Sequence, residues 1–226
     1  MFDGKFRQSI DAATAPVGRW LVRAGFSADV LTASGLVFAA ATAWCIAQGH
    51  FLWAIILLIL TGAHDLLDGA VAKASQRASQ RGSFFDSVVD RVADAALLGG
   101  AAFYLERHHP GELVLLPFGL LTTFFLISYQ RSKAESLGLA AKGGLMERAE
   151  RLVLLGVALL SPAIFVPVLW IMMVLTTMTA LGRFWRVWQI AARPAPRTVI
   201  ERTPRSPRTP RTHARRPRRL SRSSRH

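Results

Sequence analysis

Four aspartates stand at helical spacings within residues 65–90, which read DLLDGAVAKASQRASQRGSFFDSVVD. Asp65 and Asp68 are separated by three positions, and Asp86 and Asp90 by four. Side chains at these spacings share one face of a helix. The short polar connection between the two pairs would return the chain antiparallel to itself. We therefore expect all four carboxylates to converge at one level of a helix pair.

Long apolar runs surround this stretch and dominate the composition. The chain has 226 residues, of which 51% are hydrophobic, and its mean hydropathy is +0.30. A run of about 20 apolar residues can cross a bilayer core of about 30 Å. We identify six such runs, at residues 30–48, 51–71, 85–105, 113–129, 152–165 and 166–185. The predicted fold class is an all-α integral membrane protein with six transmembrane helices.

Two polar segments flank the apolar body. Residues 1–24 mix charged and apolar side chains around Pro16, a pattern typical of a juxtamembrane amphipathic helix at the membrane interface. Residues 193–226 hold 12 of the 28 Lys and Arg residues and a single acidic residue, Glu201. This segment has too little apolar surface to fold alone, so it is predicted to be a disordered basic tail. The six-helix domain then spans residues 25–192.

The basic residues predict the orientation of the chain. They are concentrated in the N-terminal segment, in the connections after the second and fourth runs, and at the C-terminal end, whereas the opposite connections contain only Arg107. Because cytoplasmic connections are enriched in Lys and Arg, both termini and the aspartates are predicted to face the cytoplasm from the inner (plasma) membrane. The tail has no aromatic residue to stack on bases, which favours membrane lipids over nucleic acid as its partner.

Carboxylates inside a membrane span are costly, and their presence indicates function. Four neighbouring anions need cations between them, and oxygen ligands favour Mg²⁺ or Mn²⁺. Gly69 and Gly82 leave room beside the aspartates for a phosphate-bearing ligand. Ordinary capping aspartates on a solvated rim are the alternative that this grouping disfavours. Asp94 continues the row one turn deeper, where we expect it to pair with Arg91.

The spacing resembles the signature of the CDP-alcohol phosphatidyltransferase family, D-x2-D-G-x2-A-R-x8-G-x3-D-x3-D, over residues 65–90. Lys73 stands where the family usually has Arg. The resemblance covers about residues 1–190 and implies a homodimer and a two-metal site with Asp65, Asp68, Asp86 and Asp90 as ligands. Asp90 would also be the general base and therefore the catalytic residue.

The same resemblance implies that the donor substrate is CDP-diacylglycerol (CDP-DAG). Its binding residues would be Asp29, Val30, Leu31, Thr32, Gly69, Lys73 and Ser79. For Thr32 and Ser79, a role in capping a helix or loop is an equally good explanation of the sequence.

A second likeness concerns the acceptor substrate. Residues 128–139, SYQRSKAESLGL, and 143–152, GGLMERAERL, resemble segments of the actinobacterial phosphatidylinositol phosphate synthases. Two departures are that Arg131 and Lys133 exchange the Lys and Arg of that group, and that Ala149 replaces Pro. The resemblance implies inositol 1-phosphate as acceptor, with its phosphate bound by Arg131, Lys133, Arg151 and Arg183.

Three alternatives remain open at this point. A phosphatidylglycerophosphate synthase would use glycerol 3-phosphate, which also carries a phosphate. A cation transporter could use the same carboxylates, although it would need neither the glycine spacing nor the release of CMP. The basic residues of the fourth connection could also serve only the orientation of the chain.

Overall fold

The computed structural model describes residues 5–75, 79–139 and 146–192, with side chains from residue 12 onward. The predicted disordered tail, residues 193–226, lies outside the described residues. The described ranges contain no strand. They form seven α-helices and a short 3-10 helix at Glu112–Val114. The α-helices are α1 Lys5–Arg23, α2 Ala28–Ala47, α3 Phe51–Ala74, α4 Gln80–His108, α5 Leu115–Ser136, α6 Arg148–Ala158 and α7 Pro162–Ala191.

Four of these helices have the length and composition of membrane spans. They are α2, α3, α5 together with the 3-10 turn before it, and α7. Their outward faces are apolar, since Val37 is 68% exposed and Leu52 is 70% exposed. Soluble proteins rarely expose large contiguous apolar surfaces to water. The all-helical fold is therefore that of an integral membrane protein.

The other two predicted spans differ from these four. Helix α4 is 29 residues long, but its first half carries Asp86, Asp90, Arg91 and Asp94. Helix α6 has 11 residues, and at a rise of about 1.5 Å per residue it is about 16 Å long, short of a bilayer core of about 30 Å. The number of spans, the interfacial position of α1 and the orientation of the termini therefore stay predictions.

The sequence indicates that the last two runs are separated at the Ser161-Pro162 region, although the bounds assigned to them meet at residues 165 and 166. In the structure the separation is at Ser161 and Pro162, since α6 ends at Ala158 and α7 begins at Pro162. The side chain of Ser161 accepts a hydrogen bond from the backbone N–H of Ala163 at 3.3 Å, and Pro162 occupies the first turn. Serine at the N-cap followed by proline is a strong helix start, even inside a continuously apolar stretch.

The main apolar core extends from one end of the bundle to its middle. It contains Ile46 from the end of α2, Phe51 from the start of α3, Leu105 from the end of α4 and Phe165 from the start of α7. The ring centroids of Phe51 and Phe165 are 5.2 Å apart. Because α3 enters this core with its N-terminal end and α4 with its C-terminal end, the two helices are antiparallel. The aspartates, at the other ends of α3 and α4, are left outside the core.

Two glycines let helices approach closely. A methyl group on Gly100 of α4 would lie 2.9 Å from the Cα of Ala43 in α2. A methyl group on Gly18 of α1 would lie 2.8 Å from the carbonyl carbon of Ala70 in α3. Ala70 follows Asp68 and Gly69, so α1 packs directly behind the segment that carries the first two aspartates.

The contact at Gly100 can be tested with a neighbouring glycine as control. We expect Gly100→Ala to destabilise the protein by about 1–3 kcal/mol, because the added methyl group is forced against the backbone of α2. A methyl group on Gly99 meets nothing within 4 Å, so Gly99→Ala should be neutral or stabilising by up to about 1 kcal/mol. Thermal unfolding in detergent measures both variants, and equal stability of the two would contradict this packing.

Candidate active site

Helices α3 and α4 bring the four aspartates of the signature together. Asp68 is buried, and the hydroxyl Oγ1 of Thr32 in α2 donates a hydrogen bond to its Oδ2 at 2.9 Å. Asp68 and Asp90 each interact electrostatically with both Asp65 and Asp86. The carboxylates of two antiparallel helices therefore lie near one another. The Thr32 hydroxyl does not cap a helix, since it lies between the carbonyl oxygen of Ala28, at 3.0 Å, and the carboxylate of Asp68.

Arg148 lies at the centre of this group. Its Nη1 is 2.6 Å from Oδ2 of Asp65, and the same nitrogen contacts Oδ1 of Asp90. The side chain of Arg148 is only 16% exposed, so these ion pairs are largely shielded from solvent. Sequence reasoning assigned Arg148 no role of its own. Two features of the sequence point to Arg148: it follows Glu147 in the 143–152 segment, and four neighbouring carboxylates require a nearby cation.

The first turn of α6 places Arg148 and a second arginine on one face. The backbone N–H of Glu147 donates to Oε2 of Glu150 at 2.8 Å in a capping box, which fixes where the helix begins. Arg148 is the first residue of α6, and Arg151 follows three residues later, so both side chains point the same way. Because α6 packs against α3, that face meets the aspartates.

Asp94 joins the arginines behind the signature aspartates. Its carboxylate is 3% exposed, and its Oδ2 lies 3.4 Å from Nη1 of Arg91 and 3.4 Å from Nη1 of Arg151. Its Oδ1 lies 3.8 Å from Nε of Arg148. The expected pair with Arg91 is present, but it is one part of a cluster of one carboxylate and three guanidinium groups.

Two of the predicted CDP-DAG residues, Asp29 and Ser79, lie near each other, and a third, Gly69, lies beside open space. The side chain of Ser79 caps α4 by accepting a hydrogen bond from the N–H of Gly82 at 2.9 Å. A methyl group on Gly82 would lie 3.5 Å from Oδ1 of Asp29, so Asp29 and Ser79 converge at this glycine. A methyl group on Gly69 would meet nothing within 4 Å, which leaves space beside Asp68 for a ligand.

The other predicted donor residues are placed differently. Leu31 is buried in a small apolar cluster with Leu21 and Val71, so its side chain is occupied by packing. Val30 is 53% exposed on the outer face of α2. Lys73 is exposed in the last turn of α3. The structure therefore does not gather all seven predicted residues into one pocket.

The four predicted acceptor cations also fall into separate environments. Arg131 is 45% exposed and its Nε is 3.0 Å from Oε1 of Glu135, whereas Lys133 is exposed two residues further along α5. Arg183 of α7 is buried and donates to the carbonyl oxygen of Ile127 at 2.9 Å. Arg183 is close enough to Arg131 for the two cations to repel each other, whereas Arg151 pairs with the carboxylate of Asp94.

The donor chemistry of the aspartates fits a hard divalent cation. Carboxylate oxygens from two helices meet at one positive centre, the Nη1 nitrogen of Arg148. Such oxygens are the ligands that Mg²⁺ and Mn²⁺ prefer. Within the described ranges, no three His, Cys, Asp or Glu side chains form a ready-made metal-binding group. The carboxylate oxygens are therefore suitable ligands for such a cation, and in this structure the side chain of Arg148 lies between them.

Comparison with known proteins identifies the family. Residues 26–182 match the model of the CDP-alcohol phosphatidyltransferase family. The chain belongs to this family, as the spacing of its aspartates indicated.

Its relatives define a group within that family. The phosphatidylinositol phosphate synthase of Mycobacteroides abscessus is 33% identical over 150 residues, which cover 66% of this chain and 68% of that protein. The fold also matches the crystal structure of the Mycobacterium tuberculosis phosphatidylinositol phosphate synthase with CDP-DAG bound, with a TM-score of 0.71 and 28% sequence identity. The match covers 81% of this chain and 98% of the chain in that structure. The same enzyme in complex with manganese and citrate also gives a TM-score of 0.71, with coverage of 80% and 93%. The resemblance to actinobacterial phosphatidylinositol phosphate synthases is confirmed.

The ion pairs of Arg148 should contribute more to stability than an exposed pair. We expect Arg148→Gln to lower the free energy of unfolding by about 3 kcal/mol, because it leaves two shielded carboxylates without their partner. Arg131→Gln, which breaks the exposed pair with Glu135, should lower it by less than about 1 kcal/mol. Thermal unfolding in detergent compares the two, and a larger loss for Arg131→Gln would show that Arg148 is not the central cation.

Proposed function

We propose that the protein transfers a phosphatidyl group from CDP-DAG to inositol 1-phosphate, forming phosphatidylinositol phosphate and CMP. This proposal rests on one observation: Asp65 and Asp90, which belong to the two halves of the family signature, both contact the Nη1 nitrogen of Arg148. The similarity to phosphatidylinositol phosphate synthases supports the choice of acceptor.

Asp65, Asp68, Asp86 and Asp90 would hold two divalent cations, Mg²⁺ or Mn²⁺. The manganese complex of the Mycobacterium tuberculosis relative supports a divalent metal. Bound there, the cations would neutralise the diphosphate of CDP-DAG and stabilise the departing CMP. The hydrogen bond from Thr32 to Oδ2 would fix the orientation of the Asp68 carboxylate beside this group.

CDP-DAG would bind at the ends of α2, α3 and α4. Asp29, Thr32, Gly69, Lys73 and Ser79 would surround the CDP group. The backbone around Val30 and Leu31 would support them, because the side chain of Leu31 is buried in packing. The open space at Gly69 would let a phosphate approach the backbone beside Asp68.

Asp90 would act as the general base. The acceptor hydroxyl oxygen attacks the phosphorus that carries the diacylglycerol, and the bond from this phosphorus to the CMP oxygen breaks. The proton of the hydroxyl passes to the carboxylate of Asp90. The guanidinium of Arg148, in contact with Asp90, would hold that carboxylate in place.

Arg131, Lys133, Arg151 and Arg183 would bind the phosphate of the acceptor. A phosphate prefers guanidinium groups, which can donate two parallel hydrogen bonds. Arg151 is closest to the aspartates, through its contact with Asp94. The other three would approach from α5 and α7, where Arg131 and Arg183 lie close enough to repel each other and where a bound phosphate would offset that repulsion.

The membrane arrangement forms part of the same proposal. Six spans, an interfacial α1 and cytoplasmic termini would place the aspartates at the cytoplasmic side of the inner (plasma) membrane, where a nucleotide substrate is available. The basic tail, residues 193–226, would lie against the anionic leaflet. The homodimer implied by the family resemblance completes the proposal.

The test is CMP release by the purified protein in detergent with CDP-DAG and divalent metal. Inositol 1-phosphate should support rapid release, and unphosphorylated inositol should be a poor acceptor because the arginines would have no phosphate to bind. Faster release with glycerol 3-phosphate would identify a phosphatidylglycerophosphate synthase instead. Metal flux into vesicles without any CMP release would identify a cation transporter.

Two glycines on α3 test the proposed approach of the diphosphate. Methyl groups on Gly62 and Gly69 would both meet nothing within 4 Å, so both alanine variants should fold normally. We expect Gly69→Ala to raise the KM for CDP-DAG by about tenfold or more, since its methyl group would displace a phosphate contact. Gly62→Ala, seven positions earlier on α3, should change this KM less than twofold. An unchanged KM in Gly69→Ala would exclude the diphosphate from this position.

A further inference from the structure

Asp94 is a buried carboxylate outside the four aspartates of the signature. Its side chain is 3% exposed, whereas those of Asp65 and Asp90 are 27% and 16% exposed. A charge at this depth is costly unless cations surround it. Asp94 meets this requirement with guanidinium groups on its own helix and on α6.

Arg151 is held mainly by Asp94 and an aromatic ring. Its side chain is 4% exposed, and its guanidinium carbon lies 4.2 Å from the ring centroid of Phe124 in α5. Within the described residues, its Nε and Nη1 have no hydrogen-bond partner, although Nη1 lies 3.4 Å from the Asp94 carboxylate. Contact with a ring face tolerates sliding, so the attraction to the Asp94 carboxylate is what keeps this guanidinium on the side of the ring that faces Asp94.

The carboxylate of Asp94 also lies close to Arg148, the cation that contacts the signature aspartates. Its Oδ1 lies 3.8 Å from Nε of Arg148, whose Nη1 contacts Asp65 and Asp90. The Asp94 carboxylate therefore lies between Arg148 and Arg151 of α6, and these two arginines have different surroundings. Arg148 faces the carboxylates proposed for the metal and the donor diphosphate, and Arg151 is proposed to bind the acceptor phosphate.

We propose that Asp94 is a positioning residue that sets the place of the acceptor phosphate relative to the donor site by holding Arg151 beside Arg148. This inference rests on the proposed function. If Asp94 only neutralised buried arginines, its loss would reduce the amount or stability of folded protein. If it positions Arg151, its loss weakens the use of the acceptor in protein that remains folded.

The first measurement is the KM for each substrate in Asp94→Asn, which removes the charge with little change of size. We expect the KM for inositol 1-phosphate to rise about tenfold, the effect of losing one charge-assisted phosphate contact. The KM for CDP-DAG should stay within twofold of its original value. A variant with both KM values unchanged and only less folded protein would overturn the proposal.

A double-mutant cycle with Arg151→Ala tests whether Asp94 acts through Arg151. If it does, Asp94→Asn should raise the acceptor KM no further in protein that already lacks the Arg151 side chain. Independent, multiplying effects of the two changes would overturn the proposal. Asp94→Glu keeps the charge but displaces the carboxylate by one methylene group, so we expect a smaller rise in the acceptor KM. If Asp94→Asn does not fold, the cycle is measured with Asp94→Ala in its place, and a rise in the acceptor KM that persists in protein lacking the Arg151 side chain would overturn the proposal.

Thr42→Val is the matched control for a buried polar change. Thr42 is fully buried in α2, and its hydroxyl donates within its own helix to the carbonyl oxygen of Phe38 at 2.8 Å. We expect this variant to lose stability without a change in either KM. No CMP release by the original protein with inositol 1-phosphate would defeat the proposed function and the Asp94 inference together. Normal release with an unchanged acceptor KM in Asp94→Asn would defeat the inference alone.

Discussion

Neutralisation of the buried carboxylates is the constraint on which the rest of the structure depends. A carboxylate moved out of water without a partner costs several kcal/mol, and the facing ends of α3 and α4 carry five aspartates within a few helical turns. Arg148 meets Asp65 and Asp90, and Arg151 meets Asp94. Both cations come from the first turn of α6, so the folding of α3 and α4 and the position of α6 depend on each other.

The main apolar core reaches the charged cluster at Phe124, whose ring lies against the guanidinium of Arg151. Phe51, Leu105 and Phe165 pack at the end of the bundle opposite the signature aspartates. Glycine contacts at Gly100 and Gly18 bring α2 and α1 close to α4 and α3. The helices are therefore held together by apolar packing at both ends, and at the end that carries the aspartates by ion pairs as well. This charged end supplies the carboxylate oxygens that are proposed to bind the metal.

The arrangement places the proposed donor site and the proposed acceptor cations on different helices. The aspartates and the open space at Gly69 lie on α3 and α4, whereas the proposed acceptor cations come from α5, α6 and α7. Under the proposed function, substitutions on α5 and α7 would change the acceptor pocket with little effect on the donor site, whereas α6 contacts both through Arg148 and Arg151. Arg148 and Asp94 belong to the boundary between the two sets, because each contacts residues of the other group.

The sequence by itself determined the family, the apolar helices and the convergence of the aspartates. These features depend on local periodicity and on spacing along one helix pair, which residues 65–90 contain in full. Only the tertiary structure decided that Arg148 is the central cation, that Asp94 binds three arginines, and that Leu31 is occupied by packing. It also set the bounds of the last two helices, because the side chain of Ser161 caps α7 and Pro162 begins it, several residues before the bound assigned from hydropathy. Most of these contacts join residues that are distant in sequence. Which side chains meet depends on how the helices pack, and the order of residues along the chain does not determine that packing by local pattern alone.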